Sequence, residues 1–364
     1  MVKICYVIGT LETGGAEKQL YLLIKNLDRK KFCPVLISLR SGRMKTDFEE
    51  VTKVHIADKK WKLDIFFMVR LVRIMKKEKP DILHTFMFTS NLWGRFAAII
   101  SRVPIIVASE RSMDFWKTPF HLFIDRLLAK FTKRIICNSN EVSNRYKNVL
   151  GRYASKLSVI YNGIDISFYD RIEYNENIRR ELEIKQEEQV ILTGGRLCAE
   201  KGLDYFLEAA SLVIKTYRDV KFLIVGQGDK KSILLQRTEH LGLNEYVIFT
   251  GYRKDLPELI KISDVVVLSS LWEGMPNLLI EAMALKKPVI GTNVGGTKEL
   301  ITNGIRGFLV SAKNSQQLAG AMLCLLQDAG LRKKMGENGY EFVKKNLSLR
   351  NMVKKYEELY EGLK

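Results

Sequence analysis

Short apolar runs alternate with amphipathic stretches along the whole chain. The apolar runs are rich in Val and Ile, which is typical of strands buried on both faces of a parallel sheet. The stretches between them repeat apolar residues every three or four positions, as at Leu20, Leu23 and Leu27, which predicts helices with one buried face. The pattern predicts strands over 2–8, 34–39, 82–84, 105–109, 134–137, 190–193, 221–225, 247–249, 265–268 and 288–291, and helices over 17–27, 64–77, 91–100, 120–131, 202–215 and 352–363.

This alternation predicts an α/β protein built of two doubly wound parallel-sheet domains. The length of 364 residues exceeds that at which single cores stop growing, which also favours two domains. Asn162-Gly163 is a turn signal, and a polar segment follows it. We therefore predict a first domain over 1–163, a second over 164–346, and a terminal helical segment over 347–364 that packs back on the first domain.

The composition is that of a soluble globular protein, with 46% hydrophobic and 27% charged residues. No apolar run approaches the roughly 20 residues that span a bilayer, and the apolar start reads as a buried strand rather than a signal peptide. The five cysteines are odd in number and scattered, which favours a reducing, cytoplasmic location over a disulfide framework or a zinc site.

Positive charge is concentrated in the first half of the chain. Residues 1–165 contain 30 Lys and Arg against 15 Asp and Glu, so they hold +15 of the formal net charge of +18. This asymmetry indicates an anionic partner, which leaves nucleic acid, an anionic membrane surface and a phosphorylated substrate open. A solvated basic face without a partner is the simpler alternative.

Several glycines follow predicted strands, where close backbone approach and a helix start favour an anionic ligand. Gly15 follows the first strand, and Gly226 follows the strand over 221–225. Neither turn completes a Gly-x-Gly-x-x-Gly fingerprint, so each alone is better explained as a plain tight turn.

Two cations stand at another strand-to-helix turn. Arg196 and Lys201 lie between the strand over 190–193 and the helix that begins at Gly202, hence at the carboxyl edge of a sheet, where open α/β sheets bind ligands. A cation at a helix start lies at the positive end of the helix dipole, which is unfavourable. A ligand phosphate between them and the helix would explain both residues.

Glu273 and Glu281 flank the start of a strongly apolar helix. Glu273 lies in a Gly- and Pro-containing turn, and Glu281 is the only charge between Asn277 and Leu285. A carboxylate in such surroundings is costly unless it is paired. A ligand with hydroxyl groups, or a cation from elsewhere in the fold, would satisfy Glu281.

Together these motifs resemble those of the retaining glycosyltransferase family 4, which has the GT-B architecture of two facing Rossmann-like domains with a cleft between them. The resemblance covers essentially the whole chain. It rests on the following segments in order: Gly14-Gly15-Ala16-Glu17, Asn162-Gly163-Ile164-Asp165, Gly195-Arg196-Leu197, Glu200-Lys201-Gly202, and the Glu273–Glu281 pair.

The resemblance implies a hexosyltransferase whose donor is a nucleotide diphosphate sugar, with UDP favoured over GDP. It assigns Arg196 and Lys201 to the donor diphosphate, Glu281 to the ribose hydroxyls and Glu273 to the transferred sugar. The remaining expected donor contacts are Gly15, Gly226, Tyr252, Gly274, Met275, Pro276, Asn277 and Leu278. Two fixed cations and a helix start would stabilise the leaving group. No Asp-x-Asp pair is present, so we expect neither a metal nor a cofactor.

The chain departs from the family pattern at one place. Where many relatives carry a His after a strand of the first domain, this sequence reads Ser109-Glu110-Arg111-Ser112. Glu110 could act as a base or orient the sugar, and Arg111 could instead bind an acceptor phosphate. His84, at the end of the preceding strand, is a further candidate for the acceptor side, or a structural histidine.

Two segments mix aromatic and basic residues in helical spacing, Trp61 to Lys79 and Met113 to Arg134. Such helices suit a membrane surface, although each is equally well explained as a core-packing stripe. With the charge asymmetry they favour a polyprenyl-diphosphate-linked acceptor at the inner membrane face, in polysaccharide, lipopolysaccharide or glycan assembly. The alternatives are a nucleotide-sugar 2-epimerase of the same fold and a basic nucleic-acid-binding protein, for which no motif is present.

Overall fold

The computed structural model describes residues 1–59 and 64–363, and it divides into two compact units. The first unit comprises Met1–Gly163 together with the segment that begins at Leu349, and the second comprises Ile164–Ser348. Within the described residues, no helix combines the length and the apolar content needed to cross a bilayer. The predicted segment from Trp61 to Lys79 lies partly outside the described residues, at positions 61–63.

In chain order, the strands and α-helices before the turn at Gly163 alternate from β1 to β7. They are β1 (Val2–Ile8), α1 (Gly15–Asn26), β2 (Phe32–Ser38), α2 (Lys45–Val51), β3 (Lys53–Ile56), α3 (Ile65–Glu78), β4 (Ile82–Phe86), α4 (Phe88–Ile100), β5 (Ile105–Glu110), α5 (Pro119–Ala129), β6 (Arg134–Cys137), α6 (Asn140–Leu150) and β7 (Leu157–Val159).

The second unit opens with two short helices and then alternates in the same way. Its elements are α7 (Ile166–Asp170), α8 (Glu176–Glu181), β8 (Gln189–Gly194), α9 (Leu203–Val213), β9 (Val220–Val225), α10 (Lys231–His240), β10 (Val247–Gly251), α11 (Leu256–Ile262), β11 (Val265–Leu268), α12 (Asn277–Ala284), β12 (Val289–Thr292), α13 (Thr297–Leu300), β13 (Gly307–Val310), α14 (Ser315–Gln327) and α15 (Ala329–Asn346). The last helix, α16 (Leu349–Glu361), belongs to the first unit.

Strand β1 lies in the middle of the first sheet. Among the described residues this sheet has seven strands in the order β3-β2-β1-β4-β5-β6-β7, all paired in parallel. Successive side chains of β1 point to opposite faces. Tyr6 therefore packs in a core with residues of α1 and α16, whereas Val7 packs in a second core with residues of α3 and α4. Helices on both faces bury every residue of β1 except the half-buried Lys3, as its apolar sequence predicts.

Helix α16 completes the first core although it comes last in the chain. Its Tyr356 and Tyr360 are among the largest fully buried side chains. The hydroxyl of Tyr6 donates a hydrogen bond to the hydroxyl of Tyr360 at 3.1 Å. A tyrosine hydroxyl in a core needs such a partner, so this contact lets two aromatic rings be buried together.

The second sheet has the same construction. Within the described residues it has six parallel strands in the order β10-β9-β8-β11-β12-β13, with one core that includes residues of α9 and α14. The prediction of two doubly wound, parallel-sheet, Rossmann-like domains is thus confirmed. The strand order reverses between β8 and β11, and ligands of open α/β sheets bind outside the carboxyl ends of strands at such a point.

Candidate functional site

The loops that follow β8 and β11 contact each other at the carboxyl edge of the second sheet. The backbone NH of Leu271 donates to the carbonyl of Glu200 at 2.7 Å, and the Ser269 hydroxyl donates to the carbonyl of Lys201 at 2.9 Å. These contacts bring the Nζ of Lys201 to 2.5 Å from Oε1 of Glu273. Two residues that the sequence singled out separately therefore form one ion pair at the switch point of the sheet.

This ion pair is largely enclosed. The side chain of Lys201 is 20% exposed and that of Glu273 is 11% exposed, and the Ser270 hydroxyl donates to the same Glu273 oxygen at 2.6 Å. Burial alone would lower the pKa of Lys201, but the adjacent Glu273 carboxylate more than offsets this, so the pKa lies above its ordinary value. Lys201 is therefore a fixed positive charge, and its ammonium has three donors.

Arg196 lies on the same loop but is held differently. Its side chain is 72% exposed, and its Nη2 is 3.8 Å from Oε1 of Glu200. An exposed pair at this distance contributes little, so the guanidinium is able to turn toward a ligand at small cost. Beside it a recess is lined by residues that include Gly194, Gly195 and Lys201. The structure thus supplies one enclosed and one exposed cation at this loop.

Glycines let neighbouring loops at this edge pack backbone against backbone. Gly226, after β9, has a φ of +137°, and a Cβ there would lie 1.9 Å from the carbonyl oxygen of Gly195. Gly295 has a φ of +46°, and a Cβ there would lie 1.8 Å from the carbonyl oxygen of Glu273. These glycines are needed for close approach, which fixes the backbone beside both members of the Lys201–Glu273 pair.

We expect Gly226→Ala to lower the free energy of unfolding by at least about 2 kcal/mol, because the new methyl group adds a backbone clash to an unfavourable φ. Urea denaturation measures this loss. Gly242→Ala is the matched control, since Gly242 also has a positive φ, +65°, but no atom lies within 4 Å of its Cβ position. Equal losses for the two variants would contradict the close-approach explanation.

Helix α12 begins directly after the β11 loop. Pro276 is its N-cap residue and Asn277 is its first residue, as predicted. Gly274, Met275 and Pro276 are buried in the preceding turn. Glu281 is 5% exposed and shares its helix with fully apolar buried neighbours. The predicted donor residues from 273 to 281 are therefore contiguous with the Lys201–Glu273 pair.

Tyr252 and Gly226 extend this edge toward β10. The backbone NH of Gly226 donates to the carbonyl of Gly251 at 2.7 Å, which joins the loops after β9 and β10. Tyr252 is the next residue and is half-buried. The structure therefore places the predicted donor residues of the second unit on the loops of four adjacent strands at one edge.

In the first unit, His84 is enclosed. It is 0% exposed, and its ring nitrogens are hydrogen-bonded to the Tyr360 hydroxyl at 2.7 Å and the Ser109 hydroxyl at 2.8 Å. Burial, with a smaller contribution from the positive Arg111, lowers the pKa of His84 to about 3. Of the two readings of the sequence, this geometry favours the structural histidine over an acceptor contact.

Glu110 lies in a buried charge network. Its Oε1 accepts a hydrogen bond from the Asn91 amide at 2.8 Å, and its Oε2 accepts one from the Tyr146 hydroxyl at 3.0 Å. Lys117 is 3.5 Å from Glu110, 3.2 Å from Asp114 and 2.9 Å from Asp125, with a side chain that is 0% exposed. Burial raises the pKa of Glu110 to about 7 although Lys117 opposes the shift. These contacts favour a role in anchoring the β5–α5 segment, and a part in catalysis stays a prediction.

The part that Lys117 plays in this network was not predicted from the sequence. Its spacing placed it among the basic residues of an amphipathic stretch. The fold instead turns it inward, toward carboxylates from the end of β5 and from α5, and toward the hydroxyl of Tyr146, which it also contacts. Arg95 of α4 completes the network by donating to Asp125 at 2.7 Å.

Arg111 is also buried, at 9% exposure, and its guanidinium donates to the side-chain oxygen of Asn162. This contact joins the segment that replaces the family histidine to the Asn162-Gly163 motif at the end of the first unit. Gln19 of α1 reaches the same motif, because its amide both donates to and accepts from the backbone of Gly163, at 3.0 and 2.9 Å. Gly15 is the first residue of α1. Neither contact could be read from sequence spacing.

Comparisons with known proteins agree with this arrangement. The model of the family described as Glycosyltransferase Family 4 matches residues 13–168, and that described as Glycosyl transferases group 1 matches residues 175–342. The two matches therefore cover most of the first and second units respectively.

Two bacterial relatives match most of the chain. The UDP-Gal:alpha-D-GlcNAc-diphosphoundecaprenol alpha-1,3-galactosyltransferase of Escherichia coli is 31% identical over 82% of this chain and 79% of its own. A Campylobacter jejuni protein is 25% identical over 93% of this chain and 92% of its own; its name is GalNAc-alpha-(1->4)-GalNAc-alpha-(1->3)-diNAcBac-PP-undecaprenol alpha-1,4-N-acetyl-D-galactosaminyltransferase.

Solved structures show the same fold. HepE of Anabaena, crystallised with UDP-glucose, superposes with a TM-score of 0.89 over 100% of both chains, at 24% sequence identity. This likeness identifies the architecture as GT-B. With the family matches and the Escherichia coli relative, it leads to one conclusion: the chain is a glycosyltransferase that belongs to glycosyltransferase family 4.

Proposed function

We propose that this glycosyltransferase transfers a hexose from a UDP-sugar to a polyprenyl-diphosphate-linked saccharide, in the assembly of a cell-surface polysaccharide, lipopolysaccharide or glycan. The observation that carries the proposal is the enclosed Lys201–Glu273 pair at the switch point of the second sheet, beside the start of α12. The names of the two bacterial relatives support the lipid-diphosphate acceptor, and the Escherichia coli name and the HepE complex support UDP.

Donor binding follows from the charges at this edge. The Lys201 ammonium donates one of its three hydrogen bonds to Glu273, so two N–H groups remain to donate to phosphate oxygens. Arg196, which is exposed, supplies a second cation from the same loop. The first backbone amides of α12 add the positive end of a helix dipole. Glu281 accepts from the ribose hydroxyls, and Glu273 accepts from hydroxyls of the transferred sugar.

In the reaction, the bond from the anomeric carbon to the UDP oxygen breaks and a bond to the acceptor oxygen forms. Negative charge then grows on the leaving diphosphate, where fixed cations stabilise the transition state more than the ground state. The acceptor proton passes to the leaving phosphate, on the face from which the donor bond breaks. Attack on that face retains the anomeric configuration. Lys201 and Arg196 neutralise the negative charge of the leaving diphosphate, so the transfer needs neither a metal nor a cofactor.

A donor panel with and without a chelator tests this proposal. We expect product from a UDP-sugar and a prenyl-diphosphate-linked saccharide, with the same rate in excess EDTA, because Lys201 and Arg196 neutralise the leaving group. The measurement is product mass, and the anomeric configuration follows from the NMR coupling constant of the new linkage.

Three results would each remove a part of the proposal. Loss of activity in EDTA that Mg²⁺ restores would contradict transfer without a metal. Product from GDP-sugars but not from UDP-sugars would contradict UDP as the donor nucleotide. Release of a free sugar epimer from the donor without any acceptor would replace transfer by 2-epimerisation.

A further inference from the structure

Helix α5 turns one apolar face toward solvent. Phe120, Phe123 and Leu127 are 67%, 64% and 49% exposed, and they recur every three or four residues, so they share one face. Trp116 and Phe131, which lie just beyond the two ends of α5, are 54% and 48% exposed. We call these five residues the α5 face. A contiguous apolar stripe of this kind marks an interaction site on a soluble protein.

The other amphipathic helix noted in the sequence is different. In α3, Phe67, Leu71 and Met75 are at most 1% exposed and pack in the core beside α4, whereas Phe66 and Val69 are 77% and 42% exposed. Core packing therefore explains the stripe formed by Phe67, Leu71 and Met75, which is one of the two interpretations that its sequence allowed. The α5 stripe is not explained by packing, because the buried side of α5 is formed by other residues, among them Asp125 and Leu128.

The segment that carries the α5 face is predominantly basic. Between Phe115 and Arg134 the one acidic residue is Asp125, which points into the unit and pairs with Arg95 and Lys117. Four exposed cations border the face, Arg126, Lys130, Lys133 and Arg134. A helix with aromatic residues on one side and cations along its flanks has the features of one that lies in an anionic membrane interface.

The base of α5 is firmly anchored. Pro119 is at the start of the helix, and Thr118 and His121 form a reciprocal capping box. The ring of Trp116 packs edge-on against Phe88 at 4.8 Å and against His121 at 5.6 Å between centroids. The aromatic residues of the α5 face are therefore presented by a capped helix start, so little backbone entropy remains to be lost on binding.

We propose that the α5 face docks this enzyme on an anionic lipid bilayer, with its apolar residues at the headgroup boundary and its bordering cations on lipid phosphates. A second copy of the chain fits less well, because two such faces would bring like charges together. The proposal rests on the proposed function in one respect: α5 follows the loop at the carboxyl end of β5, which also bears Arg111, so docking would hold that loop near a lipid-carried acceptor.

Vesicle co-sedimentation of the full chain tests the proposal. The probes are vesicles of phosphatidylcholine alone and of phosphatidylcholine with phosphatidylglycerol. We expect binding to the anionic vesicles, a loss of at least about tenfold in affinity for Phe120→Ser/Phe123→Ser, and a similar loss for Lys130→Glu/Lys133→Glu. The matched control is Ile233→Ser/Leu235→Ser on α10 of the second unit, whose residues are 48% and 43% exposed and which we expect to bind as wild type does.

A parallel activity assay separates this proposal from the proposed function. With a short-chain, water-soluble acceptor, Phe120→Ser/Phe123→Ser should match wild type, whereas transfer to a long-chain acceptor in anionic vesicles should fall. If Phe120→Ser/Phe123→Ser bound anionic vesicles as tightly as the wild-type protein does, the α5 face would not be the docking site, even if transfer persisted. Vesicle binding without transfer to any lipid-linked acceptor would overturn the proposed function alone. A wild-type dimer that this variant converts to monomer would assign the α5 face to self-association instead.

Discussion

Replacing Lys201 with alanine lowers kcat by about 10²–10³-fold, as expected for removal of one preorganised group that stabilises developing negative charge. The cation is enclosed, adjacent to Glu273, and held at the switch point by loop contacts that do not involve its ammonium. The loss therefore falls on the chemical step. It is measured from initial rates at saturating UDP-sugar, with the melting temperature as a check on folding.

Two further variants serve as comparisons for Lys201→Ala. Lys231→Ala removes an exposed cation at the start of α10 and should leave kcat within a factor of about two, since exposed charges of this kind contribute little. Glu281→Ala removes a group assigned to the ribose, so its main effect should be a higher donor KM. If Lys201→Ala turned over at the wild-type rate, the donor-site assignment would fail.

Replacing Lys117 with methionine lowers the free energy of unfolding by about 3–5 kcal/mol, because it removes the cation beside three buried carboxylates, of which Asp125 keeps Arg95 as a second partner. Lys117 is fully enclosed and lies within 3.5 Å of Glu110, Asp114 and Asp125. Methionine fills a similar volume, so the loss reports charge rather than a cavity. Chemical denaturation monitored by circular dichroism provides the measurement.

The control is Lys133→Met, an exposed position on the same unit that should change stability by less than about 0.5 kcal/mol. Adding Glu110→Gln to Lys117→Met should restore part of the loss, because it removes one of the unpaired charges. Additive effects of the two substitutions would show that Lys117 and Glu110 are not coupled, and would return Glu110 to consideration as an isolated functional carboxyl.

The strands of both cores were predictable from sequence, since they are buried on both faces and read as continuous apolar runs. The predicted bounds of β1, β6 and β11 agree with the structure residue for residue. The edge strands β3, β7 and β13 were missed. They have only three or four residues each, and β3 and β7 are half-buried or exposed, so these strands lack the long apolar run of a central strand.

The sequence indicated which residues belong to the candidate site, but not which of them contact each other. Lys201 and Glu273 each stood out at a strand end, yet they are 72 positions apart, and their pairing depends on β8 lying beside β11. The same applies to Arg111 and Asn162, and to His84 and Tyr360. Strand order is decided by tertiary packing, which a local pattern of apolar and polar residues does not encode.

The position of α16 has a consequence for biosynthesis. Residues 1–163 emerge from the ribosome long before Tyr356 and Tyr360 are synthesised. These two tyrosines fill the core around Tyr6 and His84. The nascent first unit must therefore wait, with that apolar surface uncovered, until the entire second unit has emerged. Folding during translation thus runs out of chain order: the unit encoded second has its whole sequence available before the unit encoded first.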